Sequence, residues 1–249
     1  MVKSMKLVVR LVAIFFFLAG GIVLTRLSID NHELEKQIAQ LEAELGRMPI
    51  DDSDRVHLVE IEAPDVPPEV ASHLERVWQF RCYLPPGYSV IRFSGGGRVS
   101  KEGVYLDGGS SSGWGSPRPE AVHQLVTVSF QKKDDRLVAF NTFGGSSGTS
   151  SWGRFDPDHI DDSLVVQKIV SSEQGPRSFD QDTILPLLRI YDPSFAEDKK
   201  VAGKNITTYA GGLFVLCPKS RESAFDQLTR GETPDEFDPG WTAREAADE

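Results

Sequence analysis

Residues 7–24, LVVRLVAIFFFLAGGIVL, carry the single charge Arg10 in a run otherwise free of charge. A helix rises about 1.5 Å per residue, so a run of this length just reaches across a hydrocarbon core of roughly 30 Å if Arg10 bends back toward the headgroups. Lys3, Lys6 and Arg10 lie at or before the start of the run and an acidic chain follows it. The positive-inside bias then places residues 1–6 in the cytoplasm and everything beyond the span outside. A cleaved leader is the competing reading, with Ala19 and Gly21 as small residues near a cut. Cleavage would leave IVLTRL as an apolar new terminus, which favours retention of residues 7–25 as a signal anchor.

The span continues without a break into LTRLSIDNHELEKQIAQLEAELGRMP. Leu24, Asn31, Ile38 and Leu45 fall at heptad position a, and Leu27, Leu34, Leu41 and Met48 at d. A strict seven-residue repeat makes a narrow seam suited to a second helix, whereas a lone surface helix carries a broader stripe of period 3.6. Residues 26–48 therefore read as a coiled coil of about 35 Å, closed by Gly46 and Pro49. Asn31 at an a position favours a parallel dimer in fixed register. The flanks oppose self-association, because Asp30 would face Glu35, Gln37 would face Glu42, and Glu44 adds further acid. The seam fits either a homo-oligomer that tolerates this repulsion or a partner helix with basic flanks; a solitary solvated spacer is the plain alternative.

Charge narrows the partners. The net charge is -10, yet the first 26 residues hold Lys3, Lys6, Arg10 and Arg26 and no acid, leaving 23 bases against 37 acids beyond them. A chain so acidic outside its anchor lacks the basic footprint that phosphate backbones require, which excludes nucleic acid as a partner.

Residues 49–67 form an acidic, proline-spaced connector, and residues 68–218 read as a β-rich extracytoplasmic domain. In WQFRCYL, Trp78, Phe80, Cys82 and Leu84 alternate with polar neighbours, the period-two pattern of a strand with one face in a core. LVTVSFQKKDDRLVAFNTF reads as a hairpin turning at its charged centre, and YSVIRF, GVYLD, SLVVQKIV, TILPLLRIY and GGLFVLC as further strands. Only residues 68–77 and 220–228 look helical. The expected fold is mainly β: a transmembrane helix and coiled coil, then an antiparallel β sandwich or open barrel-like domain. An acid-rich tail over 219–249, with one short helix, is expected to be mostly disordered beyond Gly231.

Two segments, GGSSSGWG at 108–115 and GGSSGTSSWG at 144–153, read as loops. Each contains G-x-S-x-G, around Ser111 and Ser146, but the nucleophile elbow needs a helix after the serine and none is expected here. Trp114 and Trp152 offer aromatic faces on which an envelope glycan could stack; the plainer reading folds each indole onto the sheet. Asp156, Asp158, His159, Asp161 and Asp162 cluster without EF-hand spacing, and the five histidines show no metalloprotease spacing, so no metal or cofactor is expected. Asn205 opens a glycosylation sequon. Cys82 and Cys217 sit on apolar strand faces, as a disulfide formed in an oxidising compartment or as two separate buried thiols. An assembly device without a catalytic constellation points to a non-enzymatic, membrane-anchored envelope protein acting as scaffold or binding module. A membrane-tethered hydrolase with its residues scattered over the strands is the alternative.

Overall fold

The computed structural model describes residues 50–61, 76–133, 136–154 and 164–243, together with Met48 and the single positions 20, 21 and 26. Gly20, Gly21 and Arg26 are helical. The rest of the expected span, the seam positions Leu24, Leu27, Asn31, Leu34, Ile38, Leu41 and Leu45, and residues 62–75 lie outside the described residues. Met48 departs from its expected seam position, being non-helical, buried and part of the compact unit that follows. Pro49 accounts for this, because a proline ring disfavours the helical conformation in the residue before it.

Among the described residues, strands make two antiparallel sheets. A six-stranded sheet runs β7-β6-β5-β2-β1-β9. It contains β1 (Val56–Ile61), β2 (Arg76–Leu84), β5 (Val122–Lys133), β6 (Arg136–Phe143), β7 (Ser146–Arg154) and β9 (Arg177–Phe179). A five-stranded sheet runs β4-β3-β11-β10-β8. Its strands are β3 (Val90–Ser100), β4 (Leu106–Gly115), β8 (Val165–Lys168), β10 (Leu185–Val201) and β11 (Lys204–Pro218).

The alternation read from the sequence decides which side of each strand is buried. Leu58, Phe80, Cys82, Val126, Val128 and Phe130 of the six-stranded sheet share one core with Leu185, Leu188, Ile190, Phe214 and Leu216 of the other. The opposite side of the six-stranded sheet is mixed: Leu125 and Phe140 are exposed on it, and Gln79 Nε2 donates to Thr127 Oγ1 at 3.2 Å across β2 and β5. The five-stranded sheet is covered on both sides, which is why LFVLC is apolar at every position. Phe214 and Leu216 face the shared core, while Leu213, Val215 and Cys217 enter a second cluster with Ile91, Phe93, Val99 and Tyr191. Helix α1 (Glu222–Thr229) lies on that second side, with Phe225 edge-on to Phe93 at 5.0 Å between centroids.

Three expectations are narrowed or changed. Of the two readings kept for the cysteines, the structure holds the separate buried thiols, Cys82 between the sheets and Cys217 in the cluster beyond the five-stranded sheet. The acidic tail beyond Gly231 is ordered as far as Ala243. Trp241 O accepts from Ile184 N at 2.6 Å, Ala243 N donates to Ile184 O at 3.0 Å, and the Arg221 guanidinium lies 3.9 Å over the Trp241 ring. Local charge argued for a solvated tail; pairing with the backbone before β10 and stacking on Arg221 override it.

The third change concerns the two Gly/Ser-rich segments, which are strands and not loops. GGSSSGWG lies within β4 and SSGTSSW within β7. Their intrinsic β preference is poor, but each is an edge strand whose place is set by its neighbour's register and by what packs beneath it. Gly144 and Gly145 make the two-residue turn between β6 and β7, both with positive φ, the conformation that a tight hairpin of this hand demands.

Candidate functional site

Glycines bring the sheets together. Gly96 and Gly97 of β3 pair with Gly212 and Gly211 of β11 on one side, and with Gly109 and Gly108 of β4 on the other. This patch has no side chains, and β7 settles onto it so closely that a Cβ at Gly96 would overlap the backbone of Trp152. Trp152 is fully buried. Its Nε1 donates to Ser150 Oγ at 2.8 Å and to Ser94 Oγ at 3.3 Å; the two serine hydroxyls lie 2.7 Å apart, and Phe130 meets the indole edge-on at 4.7 Å between centroids. Trp152 therefore takes the plainer reading, a side chain that fastens its strand and offers no face to a ligand.

Next to this junction a cavity of about 240 Å³ opens between the end of β3 and β4 and the β6–β7 turn. Val90 and Phe143 give it apolar walls; Arg92, Arg118, Gln124 and Ser146 supply polar groups. Arg92 shares the inward side of β3 with Val90 and Ser94. It pairs across β4 with Gly113, where a Cβ would come 2.5 Å from Nε, so the guanidinium lies over bare backbone. Gln124 stands against Gly144 in the same way: a Cβ there would come 2.9 Å from its amide. Arg118 belongs to the segment after β4, held by its carbonyl accepting from Gly87 N at 2.8 Å.

Two lining residues each carry a buried atom without a hydrogen-bond partner: Nη1 of Arg92, a donor, and Oε1 of Gln124, an acceptor. Buried polar groups are rarely left so, because each orphan costs about 1–3 kcal/mol. Neither Arg92 nor Arg118 forms an ion pair with a described residue, although the chain is strongly acidic. Among the described residues no carboxylate, histidine or cysteine lines the cavity.

Trp114 borders this cavity from the other side of β4. Its register partner is Ile91, a member of the outer cluster, so the indole stands opposite to Arg92; it is 70% exposed with Lys219 Nζ 3.1 Å over the ring. Trp114 and Trp152, which looked equivalent in sequence, thus have separate roles. The G-x-S-x-G serines are likewise apart: Ser111 lies within β4 opposite Ser94, and Ser146 opens β7. Each continues as strand, so neither is raised over a helix N-terminus.

Other charged groups are engaged in structure. Arg189, 1% exposed, donates from Nη1 to Lys101 O and to Gln167 Oε1, both at 2.7 Å. Lys168 of β8 donates to both carboxylate oxygens of Glu60 on β1, at 2.8 and 2.7 Å, tying the two sheets together. His57 is buried with Nε2 2.6 Å from Asp52 O. Among the described residues no group of His, Cys, Asp and Glu could hold a metal ion; the Asp156–Asp162 cluster lies outside them.

No protein-family model, curated protein or solved structure matches this chain.

The sequence reading missed Arg92, Arg118 and Gln124. Arg92 did carry a signal, since it is the one charged residue among the apolar residues that open β3, Val90, Ile91 and Phe93. Arg118 and Gln124 carried none, because their convergence depends on which sheet edges meet.

Proposed function

We propose that the chain is a non-enzymatic envelope protein, anchored by residues 7–25, assembled through the heptad seam, and using its β domain as a binding module outside the cytoplasm. The observation that carries the binding reading is the cavity beneath Arg92. It is lined by cationic and amide side chains and, among the described residues, by no acid, histidine or thiol to act as general base or nucleophile. Such a site is suited to holding a ligand and not to transforming one. The acidic surface and the apolar N-terminal run support the address.

Topology and assembly test the proposal together. A reporter active only outside the cytoplasm, fused after Glu249 so that the Trp241 contacts survive, is expected to be active in a membrane-bound product. Replacing Ile38 and Leu41 with polar residues should abolish association in cross-linking and sedimentation, because each new polar group would be buried unpaired in the seam. Activity only from a cytoplasmic fusion would overturn the address. A monomeric wild type that captures no partner helix would overturn the assembly.

A further inference from the structure

We propose that the cavity beside β4 binds a carboxylated saccharide, with Arg92 and Arg118 on the carboxylate and Gln124 accepting from a neighbouring hydroxyl.

Four features of the site converge on this chemistry. The first is the polar lining: the Arg92 guanidinium offers donors and the Gln124 amide offers a donor and an acceptor, and both side chains line one space. A ligand that carries only an anionic group uses the first and leaves the second. A carboxylate with an adjacent hydroxyl uses both, and its charge strengthens the bond to the guanidinium.

The second is charge. In a chain of net charge -10, two arginines at one cavity without an ion-pair partner among the described residues form a local positive site. An acidic group entering it gains attraction from both guanidinium groups, and the small volume admits one compact acid and not a nucleic acid.

The third is volume. At about 30 Å³ per water, a cavity of about 240 Å³ displaces on the order of eight waters, the bulk of one sugar ring with its substituents. The fourth is the wall. Phe143 and Val90 give the cavity an apolar side, which a bare anion would leave unused and the C–H face of a pyranose covers.

The position also leaves a path for a polymer. The cavity lies at the β4 edge and the β6–β7 turn, and its rim residues Trp114, Arg118 and Ser146 are all exposed. A saccharide bound through one acidic ring can therefore continue over the rim into solvent.

This proposal rests on the binding-module reading above, and the two are separable on one sample. The full chain in non-ionic detergent is titrated with glucuronate, glucose and acetate by calorimetry and saturation-transfer NMR, while cross-linking follows association through the heptad seam. Glucuronate is expected to bind saturably and more tightly than acetate, with glucose silent. Arg118→Gln, an exposed position, should weaken glucuronate binding about tenfold or more at an unchanged unfolding midpoint, and Arg92→Gln by at least as much. Equal binding of glucose, equal binding of acetate, or undiminished binding by both variants would overturn the proposal. So would the absence of glucuronate binding, even where intact cross-linking leaves the assembly reading standing.

Discussion

The six-membered ring of Trp152 lies directly against the backbone of Gly212, so that a Cβ on Gly212 would overlap the indole. The junction between the two sheets thus depends on the absence of one atom. Gly212→Ala is expected to destabilise the domain by about 1–3 kcal/mol through overpacking, because the indole is held by two serines and Phe130 and has nowhere to move. Gly109→Ala is the control, since nothing lies within 4 Å of its Cβ position. It should leave stability unchanged or raise it by about 0.4–1 kcal/mol. Urea unfolding of the full chain in detergent checks both.

Glu60 on β1, next to the edge of one sheet, and Lys168 on β8, the edge of the other, join the two sheets, and Glu60 Oε2 also accepts from Ser172 N at 3.2 Å. Glu60→Ala removes three charge-assisted bonds and leaves a half-buried ammonium, for an expected loss of about 1.5–3 kcal/mol. Lys168→Met in that background should restore part of the loss, since it removes the orphaned charge. If the double variant is less stable than the single one, the pair does not act as described. Thermal unfolding of the three proteins decides this.

Burial raises the pKa of both thiols. Cys217 is pushed from 9.0 up to about 12, by desolvation first and then by Glu222 and Asp226. The unfolded chain therefore gives up this proton before the folded one does. Stability is fully held below pH 9 and falls as pH rises from there toward 12, with a shallower fall in Cys217→Ala. Native protein should resist thiol reagents at pH 8, and denatured protein without reductant should label at two sites. A shift in gel mobility on reduction would contradict the free thiols.

Charge at the heptad flanks separates the two modes of assembly. In a homo-oligomer, Glu35→Lys with Glu42→Lys relieves the acid-on-acid contact of Glu35 with Asp30, lowers the negative charge of the flank, and should strengthen self-association at low salt. With a basic partner helix, the same change should weaken capture of that partner. Sedimentation at low and high ionic strength reads out the first effect, and affinity capture the second.

The parts of the fold legible in sequence are those where local pattern and burial coincide. Phe80, Cys82 and Leu84 announced β2, and Val126, Val128 and Phe130 announced β5, because a one-sided strand writes a period of two. The Gly/Ser segments were misread for a physical reason: their serines and glycines favour turns locally, and they become strands only by lying against β3 and β6. The meaning of Gly96 and Gly212 is set by Trp152, which is remote in sequence from both. Arg92 was visible as an oddity, but its role depends on Gln124 and Arg118 arriving from two other segments. The disorder inferred for the acidic tail failed at Trp241, whose stacking partner Arg221 and pairing partner Ile184 no composition count could supply.

The position of β11 bears on how the domain is made. It pairs with β3 on one side and with β10 on the other, yet it is the last strand in chain order. Until Lys204–Pro218 has emerged, β3 and β4 have no central neighbour, and Leu185 to Ile190 face a core that lacks Phe214 and Leu216. Such long-range pairing forms slowly, because the closure entropy must be met before any contact rewards it. If the chain is exported as proposed, the segments nearest the anchor cross first, and the five-stranded sheet cannot close until Lys204–Pro218 has followed them.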